Sequence, residues 1–260
     1  MIFKHELKRY LKTFLVWLFS IAALILVCML LYPEMKGSIE NVNDMFSDMG
    51  SFTEAFGMNR LNFGTPMGFY GIEVGSILSI GAPLFAAQIG ISLLAKEEGQ
   101  HTAEFLFSHP ISRTSVYFQK YAAMLFYILL FNILCIAVAI GSFIYIGEEI
   151  LWKEFFLYHL AIFVLQIEIG TICFGISAFL RKNALGLGFG LALILYFMNI
   201  VANISKNENL KYTTPYQYAD PSTIIPEAAL EWELIGIGLA VTLFFILVGY
   251  IRFVKKDLSI

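Results

Sequence analysis

The sequence predicts an all-α polytopic membrane protein with six transmembrane helices. Three observations predict it. Apolar residues make up 58% of 260 positions and charged residues only 14%, with a mean hydropathy of +0.74; soluble domains run near 45–50% apolar and about 25% charged. Six apolar runs are each adequate for a bilayer crossing, which takes about 20 residues. Lys and Arg concentrate on alternate connections, the pattern that orients multi-span proteins. The net charge of −3 says little about partners because the charge is unevenly spread. The three cysteines, Cys28, Cys135 and Cys173, all lie in apolar runs and read as packing residues, neither a disulfide framework nor a metal site.

In chain order, residues 1–13 form a basic amphipathic segment. Phe3, Leu7, Tyr10 and Phe14 share one helical face, and Lys4, Lys8, Arg9 and Lys12 fill the other sides. This predicts a helix lying in the membrane surface with its cations toward anionic lipid; the same charges also serve as a topology-fixing flank. Span one is predicted at 14–31, long and without a small-residue cleavage site, hence a retained span. Residues 32–70 are polar. Within them Ile39, Val42, Met45, Phe46, Met49, Phe52 and Phe56 recur at helical spacing, predicting an external amphipathic helix. Span two is predicted at 71–95, kinked by Pro83, with Ala82, Ala86 and Gly90 forming a row for close helix contact.

Span three is predicted at 118–146, followed by a short acidic turn at 147–154. Span four follows at 155–179, ending at Arg181 and Lys182, and span five at 184–204. Gly186, Gly188 and Gly190 read as a packing surface: no strand precedes them and no Gly-Lys-Ser/Thr follows. Residues 205–231 are polar with Pro215, Pro221 and Pro226. Span six is predicted at 232–252, with Arg252, Lys255 and Lys256 as a basic tail. With the N-terminus inside, cytoplasmic segments hold 12 of the 17 Lys and Arg, so both termini are predicted cytoplasmic.

The stretch KEEGQHTAEFLFSHPISRTSVYFQK, Lys96 to Lys120, carries more detail than a connector needs. Phe105, Leu106 and Phe107 sit between polar flanks. Pro110 cannot continue a helix. Ser112 reads as an N-cap, with Ile111 and Val116 spaced as a hydrophobic staple. The prediction is a short helix stopped at Pro110 and a new one starting at Ser112.

This stretch resembles the signature of ABC-2 type permeases, the membrane subunits of one class of ATP-driven exporters. That signature is an acidic residue, Gly-Thr, Glu, a Leu-rich turn, Pro-Ile/Val-Ser-Arg and a Lys. Here it falls on Glu97 or Glu98, Thr102, Glu104, Leu106, Pro110, Ile111, Ser112, Arg113 and Lys120, with His101 in place of the commoner Gly. TPYQYADPSTIIP further on resembles the segment before the last span of such permeases. The resemblance implies a type V exporter-like fold with an interfacial N-terminal helix, a cytoplasmic coupling helix at 96–117 and short external helices before span six that dip toward the membrane. It implies an ABC ATPase subunit as partner, a second permease chain (homodimer or heterodimer), a bacterial plasma membrane and a substrate moved out of the cytoplasm. The ATPase-coupling residues it implies are Glu98, Thr102, Glu104, Phe105, Leu106, Pro110, Ser112 and Arg113. Glu104 and Arg113 would make polar contacts, Phe105 and Leu106 apolar ones. ATP and Mg would sit on the partner, with no cofactor in this chain.

The residues support no enzyme. There is no Walker A motif, no HExxH and no nucleophile set. His5, His101, His109 and His159 have no metal-ligand spacing, and nothing points to nucleic acid. Gly-Ile-Ser at 175–177 lacks the further Gly and the late-span His of a membrane serine protease. A secondary transporter working alone would show internal repeats, and none is visible. A permease-like subunit that transmits ATPase motion without transport is the other alternative. Glu168 stands out near the centre of span four. Glu168, Thr171, Gly175 and Ala178 form one small or polar stripe, and Gln166, Gly170, Cys173 and Ser177 another. A span with two such stripes is predicted to be wedged between neighbours, which makes Glu168 either a buried packing lock or a candidate gate or pathway residue.

Overall fold

The computed structural model describes residues 2–36, 50–96, 111–205 and 208–256. These are helices and connections with no strand among them. Six helices are long and apolar enough to cross a membrane: span one Ile2–Lys36, span two Pro66–Leu93, span three Arg113–Ile146, span four Trp152–Ser177, span five Leu185–Ile204 and span six Trp232–Lys255. Most of the predicted coupling segment, and the part of the predicted external helix from Ile39 to Met49, lie outside the described residues. Ser51–Ala55 is a short helix at the end of that external stretch.

Span one corrects the sequence reading. No break separates a surface helix at 1–13 from a span at 14–31; a single helix of 35 residues runs through both. The reason is its packing stripe. Ile2, Glu6, Tyr10, Phe14, Leu18, Ile21, Ile25, Met29 and Tyr32 are all buried, one per turn. The helix packs along span three over this stripe. The expected face was half right: Tyr10 and Phe14 are on it, with Glu6 and Ile2 in place of Leu7 and Phe3. Lys4, Lys8 and Lys12 are exposed, as the amphipathic pattern requires. At 1.5 Å per residue the helix is about 52 Å long, well beyond a hydrocarbon core of about 30 Å.

Spans two and four form the centre. Each buries 72% of its most apolar window, against 17% for span five, which identifies them as the inner pair. Their approach needs glycine: a Cβ on Gly90 would lie 2.2 Å from the Gly170 carbonyl oxygen. Ala82 and Ala86 are buried along the same row, as expected. The helix continues through Pro83, and the irregular turn of this span is instead a π-helical stretch at Tyr70–Val74. Span four is wedged as its stripes predicted. Gly175 faces Phe245 and Gly249 of span six, Gln166 accepts from Asn132 of span three (3.2 Å), and Thr171 meets Tyr121 (2.9 Å). Of the span-five glycines only Gly188 meets span two, against Ala87 and Ile91; a Cβ on Gly186 or Gly190 would meet nothing within 4 Å.

The connection before span six does more than cap the bundle. It contains two 3-10 turns, Glu208–Thr213 and Pro215–Ala219, and a short helix, Pro221–Glu227. Thr214 donates to the Leu195 carbonyl (2.7 Å) and Tyr216 to that of Ala192 (3.2 Å). Gln217 donates to Asn199 (2.6 Å) and Asn203 (2.8 Å). Positions 192, 195, 199 and 203 are successive turns of span five. The connector therefore descends to about the middle of that span and climbs out again. Each buried polar group on the way down has a partner, as a low-dielectric interior demands.

Candidate functional site

Two places bring the sequence-predicted residues into defined geometry. The first is the face that carries both termini, where the 97–110 segment leaves span two and rejoins span three. Ser112 is the N-cap expected: its hydroxyl accepts from Ser115 N at 3.2 Å. Val116 is buried in the core and Ile111 packs partly buried against it, consistent with the staple. Arg113 donates through Nη1 to the carbonyls of Val254 (3.1 Å) and Lys256 (2.5 Å), the last turn of span six. The Lys256 ammonium in turn donates to the Leu180 carbonyl beyond the end of span four (2.7 Å). Lys120 donates to the Leu93 carbonyl at the end of span two (2.8 Å) and to Glu6 of span one (2.7 Å). Three cations thus satisfy carbonyls that helix C-termini leave open, and their charge suits the negative end of the helix dipole. Arg113, expected to reach a partner, engages its own chain through Nη1.

The Glu6–Lys120 pair was missed from the sequence. Lys120 is 1% exposed and Glu6 likewise, and Glu6 Oε2 has no hydrogen-bond partner. A signal was available: Glu6 is spaced i, i+4 and i+8 with Tyr10 and Phe14, on the apolar face itself. Glu98, Thr102, Glu104, Phe105, Leu106 and Pro110 lie outside the described residues.

The second place surrounds Glu168. The carboxyl is buried, and its Oε2 accepts from the Tyr218 hydroxyl at 2.8 Å. Tyr218 belongs to the descending connector. The phenol is the donor and the carboxyl oxygen the acceptor. Gly238 of span six completes the seat: a Cβ there would come within 2.2 Å of Glu168 Oε2. A cavity of about 170 Å³ opens beside it, with Glu168, Lys211, Thr213, Thr214 and Tyr218 among its walls. The sequence singled out Glu168 but not its partner, which lies 50 residues away on a segment of mixed character.

His159 is paired with Tyr70 at 2.8 Å among Phe155 and Tyr158. Among the described residues no three His, Cys, Asp or Glu side chains group as metal ligands.

The sequence model of the family described as ABC-2 family transporter protein matches residues 1–258. No curated protein matches the chain.

Proposed function

The chain belongs to the ABC-2 transporter family, a membrane permease of an ABC transporter, and on that premise we propose how it is driven. It works as one half of a permease dimer, is powered by a separate ABC ATPase subunit and moves substrate out of the cytoplasm. The face carrying the termini is cytoplasmic and the descending connector faces outward, in keeping with the excess of Lys and Arg on that side.

The observation that carries this reading is the anchoring around the 97–110 segment. Its entry is held through Leu93 by Lys120, and its exit through Arg113 by span six. Force applied to that segment reaches spans one, two, three and six at once, and span four through Lys256. Packed helices with discrete arrangements can carry such a push to the far face as alternating access. Glu98, Thr102, Glu104, Phe105 and Leu106 are proposed to meet the ATPase, with Pro110 ending the short helix and Ser112 starting span three.

Phe105→Ala combined with Leu106→Ala tests the contact. Interface anchors of this kind cost roughly 1–3 kcal/mol each when truncated. The expected result is a normally inserted permease that no longer retains the ATPase on co-purification, with transport lost and the free ATPase still turning over. Normal assembly and pumping would remove these two residues from the interface. Sidedness is checked separately, in a background lacking Cys28, Cys135 and Cys173. Cysteines at Asn43 and Asn209 are expected to react with an impermeant thiol reagent on intact cells, and one at Ser108 is not. Labelling at Ser108 from outside would invert the bundle and end the coupling assignment.

A further inference from the structure

The cavity beside Glu168 does not end at its polar walls. Ile172 and Leu195, which line it, also line a second, open groove of about 580 Å³ between spans five and six. Leu187, Leu191, Ile194 and Phe245 complete that groove, and its surface is almost wholly apolar. A small chamber, mostly apolar but carrying Glu168 and Lys211, therefore continues into a larger apolar slot through two shared side chains. The groove's volume falls within that of ligand sites, roughly 300–1,000 Å³, which combine apolar walls with a few placed polar groups of the kind the chamber supplies.

The chamber holds one acid and one base that do not pair with each other. Glu168 spends Oε2 on Tyr218. The Lys211 ammonium sits 5.2 Å from the Tyr212 ring. A buried carboxyl beside a cavity favours a donor or cation, and a lysine at the rim favours an anion. The apolar slot has no polar requirement at all. We infer that the joined chamber and groove bind a membrane amphiphile whose head carries a primary ammonium next to a phosphate and whose tail is an alkyl chain. The ammonium sits at Glu168, the phosphate at Lys211, and the chain in the groove. The head lies under the descending connector and the tail points toward the face carrying the termini. The head then lies near the middle of the bundle, where the connector reaches its full depth, and the open side of the groove lets the tail enter sideways from the bilayer. Calling this ligand a substrate rests on the permease reading above; its binding does not, because binding needs neither ATP nor the ATPase.

The test uses the full-length chain in lipid nanodiscs. The probe is a lysophospholipid with an ethanolamine head and a photoreactive alkyl chain, compared with the same chain on a glycerol head. The expected result is labelling within 187–195 or 241–249, about tenfold stronger for the ethanolamine head, the size of one lost charge-assisted hydrogen bond. Glu168→Gln should erase that preference, and Lys211→Met should weaken labelling by both probes. Since Glu168→Gln alters a buried group, Gly190→Phe supplies a second arm. A Cβ at Gly190 meets nothing within 4 Å and Gly190 lines the groove, so this variant should fold and lose labelling by both heads. Equal labelling by the two heads, a preference that survives Glu168→Gln, or unchanged labelling of Gly190→Phe would each overturn the proposal. Efficient disulfide cross-linking between copies carrying Gly190→Cys, without lipid labelling, would make the groove a subunit interface and overturn it as well. Loss of ATPase co-purification would leave the labelling untouched, so the two readings fail separately.

Discussion

Lys120→Met is expected to destabilise the fold by about 3–5 kcal/mol, the cost of stranding one member of a buried ion pair. Lys120 is 1% exposed, and its ammonium donates to Glu6 and to the Leu93 carbonyl. Removing it leaves a carboxylate with both oxygens buried and unpaired. The decisive comparison is the double variant Glu6→Leu, Lys120→Met. Buried pairs replaced by apolar groups of similar volume are often neutral or more stable, so the double variant should recover most of the loss. Equilibrium unfolding in mixed micelles, followed by helix content, reads both. A single variant as stable as the parent, or a double variant no better than the single, would show that the pair does not hold spans one and three.

Gly90→Val is expected to be nearly as damaging, because the first added carbon already falls 2.2 Å from the Gly170 carbonyl oxygen. Backbone cannot swing aside as a side chain can, so spans two and four must separate. Overpacking of a tight core costs typically 1–3 kcal/mol and sometimes more, and here the affected pair is the centre of the bundle. Gly170→Ala gives the contrast from the other side of the same contact. Its Cβ would meet only side chains, Ile128, Met124 and Ala86, at 3.3–3.4 Å, so a small loss is expected. Gly141→Ala meets nothing and should be neutral or slightly stabilising through helix propensity. If Gly90→Val unfolds at the same denaturant strength as Gly141→Ala, the close approach of spans two and four is not required.

Much of this was legible beforehand because the signals were local or periodic. Six apolar runs give six spans, and the spacing of Ala82, Ala86 and Gly90 gives a contact row. The two stripes on span four give its wedged position. Ser112 gives its cap from the chemistry of four residues. What the sequence hid was non-local or depended on where a helix ends. The basic flank at 1–13 reads as a separate surface helix because charge pattern alone does not say whether the backbone bends. Only the unbroken stripe from Ile2 to Tyr32, laid against span three, shows that it does not. Tyr218 was invisible as a partner of Glu168 because nothing in a Pro-rich connector states how deep it will descend. Lys120 reads only as the last residue of the signature until two other helices bring Leu93 and Glu6 to it. The glycines of span five looked equivalent, yet only one of them meets a neighbour.

Two ion pairs tie span one to span three and the turn after it, beside the hydrogen bonds from Phe3 N to Gln119 and from Tyr127 to the Leu7 carbonyl. Glu6 meets Lys120 at one end, and Lys36 meets Glu148 at the other, just past the left-handed turn at Gly147 that stops span three. Thirty residues separate the first pair's member from the second's on one helix and 28 on the other, about 45 and 42 Å of rise. The two sides of this frame are thus nearly equal, and neither helix can slide by a turn past the other without breaking a rung. The rungs are unequal in strength. The inner one is sealed from water, whereas Lys36 has 52% of its side chain exposed, and such surface pairs are worth about 0–1 kcal/mol. The frame is therefore firmly held beside the termini and only lightly held at the face where the connector descends.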